Sequence, residues 1–289
     1  MLQRSQRFGR LGLVPLILLL FLLSCQSQTS PENLSSPDGY DLNKPFVLKL
    51  PSYLDEISGL AYYPKDKSTF AINDEEGWLY KVYLHDKMPI QKWKYAPGDD
   101  FEDLVLYDST FYILQSTGKI IAARFVSTDS VEVEEYDLGL AGENEFEILY
   151  LEEKKNRLIL ICKDCERDNK STLSSFAFDL NTKSFVKDPA FVIDVTKIAA
   201  MMNETKVKFK PSAAAIHPIT GQLYIISSIN KIVVVANPEG VPEKIHNIDP
   251  KLYKQPEGLA FTPEGHLLIS NESADIGAAN ILIYKYNKG

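Results

Sequence analysis

The stretch Gln255-Pro-Glu-Gly-Leu-Ala-Phe-Thr-Pro-Glu-Gly-His-Leu-Leu-Ile-Ser-Asn-Glu272 carries two short apolar runs separated by Thr262-Pro-Glu-Gly265, the turn composition of an antiparallel hairpin. Its first word, Pro256-Glu-Gly-Leu-Ala-Phe261, recurs through the chain as Ile57-Ser-Gly-Leu-Ala-Tyr62, Phe101-Glu-Asp-Leu-Val-Leu106, Phe146-Glu-Ile-Leu-Tyr-Leu151 and Pro211-Ser-Ala-Ala-Ala-Ile216. The second positions, Ser58, Glu102, Glu147, Ser212 and Glu257, are spaced by 44, 45, 65 and 45 residues. A turn signal and a second apolar run follow each word: Thr69 to Ile72, Phe111 to Leu114, Arg157 to Ile161, Gln222 to Ile226 and His266 to Ile269. Further strands, such as Trp78 to Leu84 and Ile120 to Phe125, fill the rest of each period. Four short antiparallel strands per period of about 45 residues are the mark of a propeller blade.

After Glu257 the chain has room for three strands, the last being Ile281 to Tyr286, while Pro45 to Leu50 stands as an orphan strand before the first word. Pairing the two ends completes a fifth blade and closes the ring. The expected fold is therefore an all-β, five-bladed β-propeller spanning residues 45–289, closed by an N-terminal strand in the last blade. A sixth, degenerate blade inside the long interval is the alternative, but Asp194 to Glu204 reads as a short helix, which favours an insertion. A generic β-sandwich would have no reason to repeat one word at fixed intervals.

Around this unit the composition is that of a globular domain, with 289 residues, 45% apolar and 24% charged. The formal charge is −8; setting aside Arg4, Arg7 and Arg10 leaves 28 bases against 39 acids, a net −11. Such acidity argues against nucleic acid, whose phosphates need a basic face. The three arginines precede an apolar run from Leu11 to Leu23, too short to span a bilayer comfortably. Residues 1–24 are expected to be a secretory signal. The run ends at Leu22-Leu-Ser-Cys25, similar to the bacterial lipobox, in which the cysteine is lipidated and becomes the new N-terminus. Residues 25–44, rich in Ser, Pro, Gln and Asn, are expected to be a flexible tether between a lipid anchor at Cys25 and the propeller.

In a propeller the first strand of every blade lines the central channel, so homologous positions converge at one rim. Glu102, Glu147 and Glu257 share alternation parity with Leu104, Leu149 and Leu259, which places them on the packed side of their strands. Three carboxylates facing one narrow space repel one another, and protons or a cation must offset the charge. A hard divalent ion with oxygen ligands fits that need; calcium is favoured, because the column holds no His or Cys and a loose ring of oxygens suits its large shell. Ser58 and Ser212 are expected to complete the ring. The alternative is structural, with each glutamate accepting backbone amide hydrogen bonds that pin adjacent blades. Asp55, Glu56, Asp99, Asp100, Glu143, Glu145 and Glu272 add negative charge at the same rim.

These words, with Glu in the second, third and fifth units and Ser in the first and fourth, resemble the SdiA-regulated (YjiK-like) family of bacterial envelope proteins. The similarity runs from about Phe46 to Tyr286. It implies a five-bladed propeller with a bound calcium ion, distantly related to NHL-repeat propellers, some of which are metal-dependent enzymes. Carried over by position, the implied ligands are Glu102, Glu147 and Glu257. The sequence departs from the family's Glu-Gly-Leu word where Asp103 and Ile148 replace glycine. The resemblance implies no particular activity.

Other features carry less. Cys162-Lys-Asp-Cys165 has no second pair to make a zinc site and is expected to be a local disulfide or two free thiols. His85, His217, His246 and His266 are expected at the surface or in turns, and Lys206 to Lys210 as a solvated edge strand. No Gly-x-Ser-x-Gly nucleophile word is present. The leading functional expectation is a monomeric, calcium-binding, lipid-anchored binding or scaffold module at the bacterial cell envelope, with a small-molecule or protein partner. Its competitor is a metal-dependent hydrolase acting on a lactone or phosphoester at the channel mouth.

Overall fold

Every repeat word supplies the first strand of an antiparallel sheet, four-stranded in four blades and five-stranded in the third, because its apolar residues are buried on both faces between neighbouring sheets. The computed structural model describes residues 34–85, 88–273 and 277–288. Strand β1 (Phe46–Lys49) precedes the first blade, which comprises β2 (Ile57–Tyr63), β3 (Ser68–Asn73), β4 (Trp78–Tyr83) and β5 (Gln91–Lys94). The second blade holds β6 (Phe101–Tyr107), β7 (Thr110–Gln115), β8 (Lys119–Phe125) and β9 (Val131–Asp137). The third holds β10 (Asn144–Glu152), β11 (Arg157–Cys165), β12 (Thr172–Asp179) and β13 (Ser184–Val186). Strand β14 (Val192–Asp194) also pairs with β12 and leads into helix α1 (Val195–Met201). The fourth blade holds β15 (Ala213–Ile216), β16 (Leu223–Ser227), β17 (Ile232–Ala236) and β18 (Pro242–Asn247). In the fifth, β19 (Pro256–Phe261), β20 (Leu267–Asn271) and β21 (Asn280–Tyr284) are completed by β1, in register from Phe46 opposite Ile283 to Lys49 opposite Asn280.

Five blades with an N-terminal closing strand are thus observed, and the long interval holds an insertion rather than a sixth blade. Asp194 caps α1 by accepting the Thr196 N–H, and the helix buries Val195 and Ile198 in the seam between blades three and four. Each of the other seams has its own apolar cluster. Phe70, Ile72, Leu104 and Phe111 join blades one and two; Tyr112, Leu114, Phe146 and Leu160 join two and three. Ile226, Val233, Leu259 and Ile269 join four and five; Leu60, Ala71, Leu268 and Ile281 join five and one. The core is therefore a ring of seams, and closure by β1 is what makes the last seam equivalent to the others.

Three expectations are corrected. Residues 34–44, assigned above to the tether, pack on blades four and five: Leu34 bridges Asn247, Asp38 pairs with Lys244, and Tyr40 and Leu42 are buried. The Tyr253 and Tyr284 hydroxyls both donate to the Leu42 carbonyl, and the Tyr40 hydroxyl to that of Gly265. Two large apolar side chains in a polar segment suffice to dock it. Lys206 to Lys210 forms no strand; Phe209 inserts into the seam beside α1, and Lys210 pairs with Asp164. His217 and His246 are buried rather than exposed. The His217 ring lies among Tyr40, Tyr224, Phe261 and Tyr286, and its Nδ1 accepts the Ile219 and Thr220 N–H groups. The expected signal segment 1–24 and Cys25 lie outside the described residues. No helix among the described residues is long and apolar enough to cross a membrane.

Candidate functional site

Strands β2, β6, β10, β15 and β19 stand side by side around the axis, each against the next, with β19 returning to β2. Their N-terminal ends therefore meet at one mouth of the channel. At three of them the ladder slips by one residue at the glutamate. Phe101 is opposite Gln115 and Asp103 opposite Leu114, leaving Glu102 unpaired; Glu147 and Glu257 are passed over in the same way. A bulge re-aims its extra side chain. Strict parity with Leu104, Leu149 and Leu259 is broken there, and each glutamate is the unpaired residue of its bulge. Blade one has a wider slip between Ile57 and Leu60, around Ser58 and Gly59.

Gly59 and Gly258 are required by close approach. A Cβ on Gly59 would lie 2.4 Å from the Leu104 nitrogen, and one on Gly258 would lie 2.5 Å from the Ser58 carbonyl oxygen. Asp103 replaces this glycine in blade two and turns the contact into hydrogen bonds. Its buried carboxyl accepts the Leu104 N–H at 2.7 Å and, across the seam, the Leu149 N–H at 2.9 Å. Blades four and five are joined by the Ser212 hydroxyl donating to Pro256 O at 2.6 Å; blades five and one by the Ser270 hydroxyl donating to Ser58 O at 2.9 Å. Asp103, Ser212 and Ser270 thus make cross-blade pins of the kind considered for the glutamates. Ser212, expected in the ring, is engaged in a pin.

Burial, the neighbouring Glu147 and Asp100 charges push the Glu102 carboxyl up to about 9. Glu257 is pushed up to about 8 by burial and the Glu272 charge. Burial raises Glu147 as well, against the pull of Lys163. Further round the rim, burial and the Asp74 charge raise Glu272 to about 7, and burial with Glu56 raises Asp74 to about 6. The three sequence-predicted residues thus lie within electrostatic reach of one another in a mouth short of positive charge.

The cation paired directly with the glutamate set is Lys163, which the sequence reading passed over. Its ammonium pairs with Glu147 and, at 2.8 Å, with Glu145. It follows the β11 residue opposite Phe146, as Asp74, Ser116 and Glu272 follow the residues opposite Ile57, Phe101 and Pro256. The ends of the second strands therefore form another ring at this mouth, and aligning those ends would have revealed it. Cys162 and Cys165, on either side of Lys163, are joined in a disulfide, one of the two states left open above. They are therefore not a thiolate metal site, although Asp168 lies close to both.

Oxygen donors alone make up the carboxylate set, which fits a hard divalent cation, and the burial and mutual repulsion that raise Glu102 and Glu257 are what such an ion would offset. Among the described residues no three rim carboxylates bring oxygens within 4.8 Å of one another. A shared ion would therefore need side-chain adjustment, with Lys163 the nearest competing charge. Beside Glu145 a cavity of about 770 Å³ opens between Gly142, Asn144, Asp164 and Glu166. The opposite mouth is a cavity of about 990 Å³ lined by apolar strand ends such as Leu106, Leu151 and Phe261. That lining also carries charges of both signs, from Asp108, Glu152, Lys154 and Lys155, whereas the glutamate mouth is acidic.

The sequence matches no family model and no curated protein. Solved structures do share its fold. Glutaminyl cyclase of Myxococcus xanthus superposes with a TM-score of 0.57 at 12% identity, over 83% of this chain and 95% of that one. A putative oxidoreductase (glucose dehydrogenase) of Thermus thermophilus gives 0.49 at 10% identity, over 84% and 100%. The WD40 propeller domain of Doa1 gives 0.45 at 10%, over 80% and 79%. At these identities the likeness extends to the fold alone: the chain is a β-propeller, among neighbours of varied function.

Proposed function

We propose that the protein is a calcium-binding, lipid-anchored propeller of the SdiA-regulated (YjiK-like) kind, serving as a binding or scaffold module at the bacterial cell envelope. The observation that carries the metal is the set of three bulged strands that present Glu102, Glu147 and Glu257 to one mouth, where their charges oppose one another. These three residues would hold the ion, which when bound would supply positive charge to the mouth and open a coordination position to a ligand oxygen. The anchor rests on Leu22-Leu-Ser-Cys25 at the end of the apolar run. With residues 34–44 docked on the domain, eight residues of sequence, 26–33, separate Cys25 from it, a reach of at most about 29 Å. The propeller then works close to the membrane surface.

A binding module is favoured over a hydrolase of lactones or phosphoesters because the Glu147 carboxylate is already paired with the Lys163 ammonium, which does not leave it as a free general base. The test is a panel of lactones and phosphoesters offered to the mature protein with and without calcium. No turnover is expected; calcium-dependent turnover abolished by Glu147→Gln would replace this reading with the hydrolase. For the anchor, Cys25→Ser should move a folded protein from the membrane fraction to the soluble one. Retention of the variant in membranes would reject lipidation as the anchor.

A further inference from the structure

We propose that Lys163 is a tethered cation that competes with calcium for Glu147, and that the Cys162–Cys165 disulfide is the staple that holds it in the mouth. The inference rests on the calcium reading above and adds the regulation of that site.

Lys163 is the bulged residue near the end of β11, between Cys162 opposite Phe146 and Asp164 opposite Glu145, and the disulfide spans that bulge. Both sulfur-bearing residues are buried, so the bulge is held on both sides. The ammonium lies on the Glu147 and Glu145 carboxylates, its side chain a quarter exposed and that of Glu147 only 9% exposed. Lys231, the other cation near the glutamate set, turns its ammonium to the Lys254 carbonyl. Lys163 therefore already provides, covalently tethered, the charge a metal would bring to Glu147.

A divalent ion that takes the Glu147 oxygens must displace that ammonium and then share the mouth with it. Both effects lower affinity, because like charges a few ångströms apart in a partly desolvated space interact strongly. Without the disulfide the bulge is held by the β10–β11 ladder alone and gives way more easily, so Lys163 can move outwards and the competition weakens. A dithiol would open the bond by exchange: one thiolate attacks a cysteine sulfur, the second resolves the mixed disulfide, and the reductant leaves as a cyclic disulfide with Cys162 and Cys165 as thiols.

The experiment is calorimetric titration of calcium into the mature chain and four variants, with melting curves to show that each is folded. Lys163→Met should bind calcium about tenfold more tightly than wild type, and Lys163→Arg, which keeps the charge, should not. Cys162→Ser with Cys165→Ser, which avoids any question of reductant access to a buried bond, should tighten binding in the same direction. The same pair of serines added to Lys163→Met should have no further effect, since the staple then has no charge to hold. Equal affinity in wild type and Lys163→Met would overturn the inference and leave the calcium site standing. An effect of the cysteine pair that persists without Lys163 would overturn the staple. Absence of calcium binding in every variant would overturn both the inference and the reading beneath it.

Discussion

Asp103→Ala tests how the blades are held at the acidic mouth. The Asp103 carboxyl is 3% exposed and accepts two backbone N–H groups, Leu104 at 2.7 Å and Leu149 at 2.9 Å, the second belonging to the next blade. Truncation strands both donors in a dry seam, at about 1–3 kcal/mol each. Part of this is returned, because burial itself disfavours the ionised Asp103 carboxyl. A net loss of about 3 kcal/mol remains. In a domain of this size that corresponds to a melting temperature lower by roughly 6–12 °C. Asp103→Asn keeps an acceptor oxygen and should lose about 1 kcal/mol. Asp188→Ala, at an exposed site, should stay within about 0.5 kcal/mol of wild type. The assay is thermal unfolding followed by near-ultraviolet circular dichroism, with calcium and with chelator, so that an effect on the rim glutamates is separated from an effect on the seam. If Asp103→Ala melts within about 1 °C of wild type in both buffers, the cross-blade pin is not a stabilising element.

The raised Glu102 and Glu257 carboxyls make the calcium-free domain pH-sensitive in a defined sense. Because their folded values lie near 9 and 8 against an ordinary 4.5, their contribution is fully present below about 4.5 and is lost as pH rises towards 8–9. With chelator the melting temperature should therefore fall across that window more steeply in wild type than in Glu102→Gln with Glu257→Gln; parallel curves would contradict the assignment. His217 and His246 act with the opposite sign. Burial lowers both below 6.5, so their contribution is lost as pH falls below about 6.5. Since His217 packs on Tyr40 and His246 bonds Ser35, limited proteolysis within residues 34–44 should accelerate between pH 7.5 and 5, and a pH-independent rate would refute the role of these contacts. Deleting Phe46 to Leu50 removes the strand paired with β21 and the buried Leu50, and should destabilise the domain by at least about 3 kcal/mol whether or not calcium is present. A deletion variant that unfolds at the wild-type denaturant midpoint would mean the ring does not depend on this closure.

The architecture was legible because each inner strand carries the same word, and a strand buried on both faces tolerates few substitutions at its apolar positions. Ring closure followed from counting strands at the two ends. What escaped the sequence depends on single side chains. Tyr40 and Leu42 dock residues 34–44 although their neighbours have a linker's composition. Nothing in the local pattern around His217 distinguishes it from a turn histidine; its burial comes from aromatic rings contributed by Tyr40, Phe261 and Tyr286, far away in the chain. At the site, the glutamates were legible as a column, yet the means of aiming them was not, since a bulge is a property of two strands and one word describes one strand. Lys163 was hidden for a similar reason. It belongs to the ring of second-strand ends, where Asp74, Ser116 and Glu272 share its place and none shares its charge. Asp103 looked like a departure from a glycine pattern, and proves to be a substitution of hydrogen bonds for close approach.

Isothermal titration of calcium into the wild-type mature chain and into the Glu102→Gln, Glu147→Gln, Glu257→Gln triple variant addresses the central claim most directly. The account expects about one ion per wild-type chain and no measurable binding to a triple variant that melts cooperatively as a folded propeller. Undiminished binding by the folded variant would place the ion elsewhere. No binding by wild type at millimolar calcium would make the three glutamates a charge cluster offset by protons and Lys163 alone.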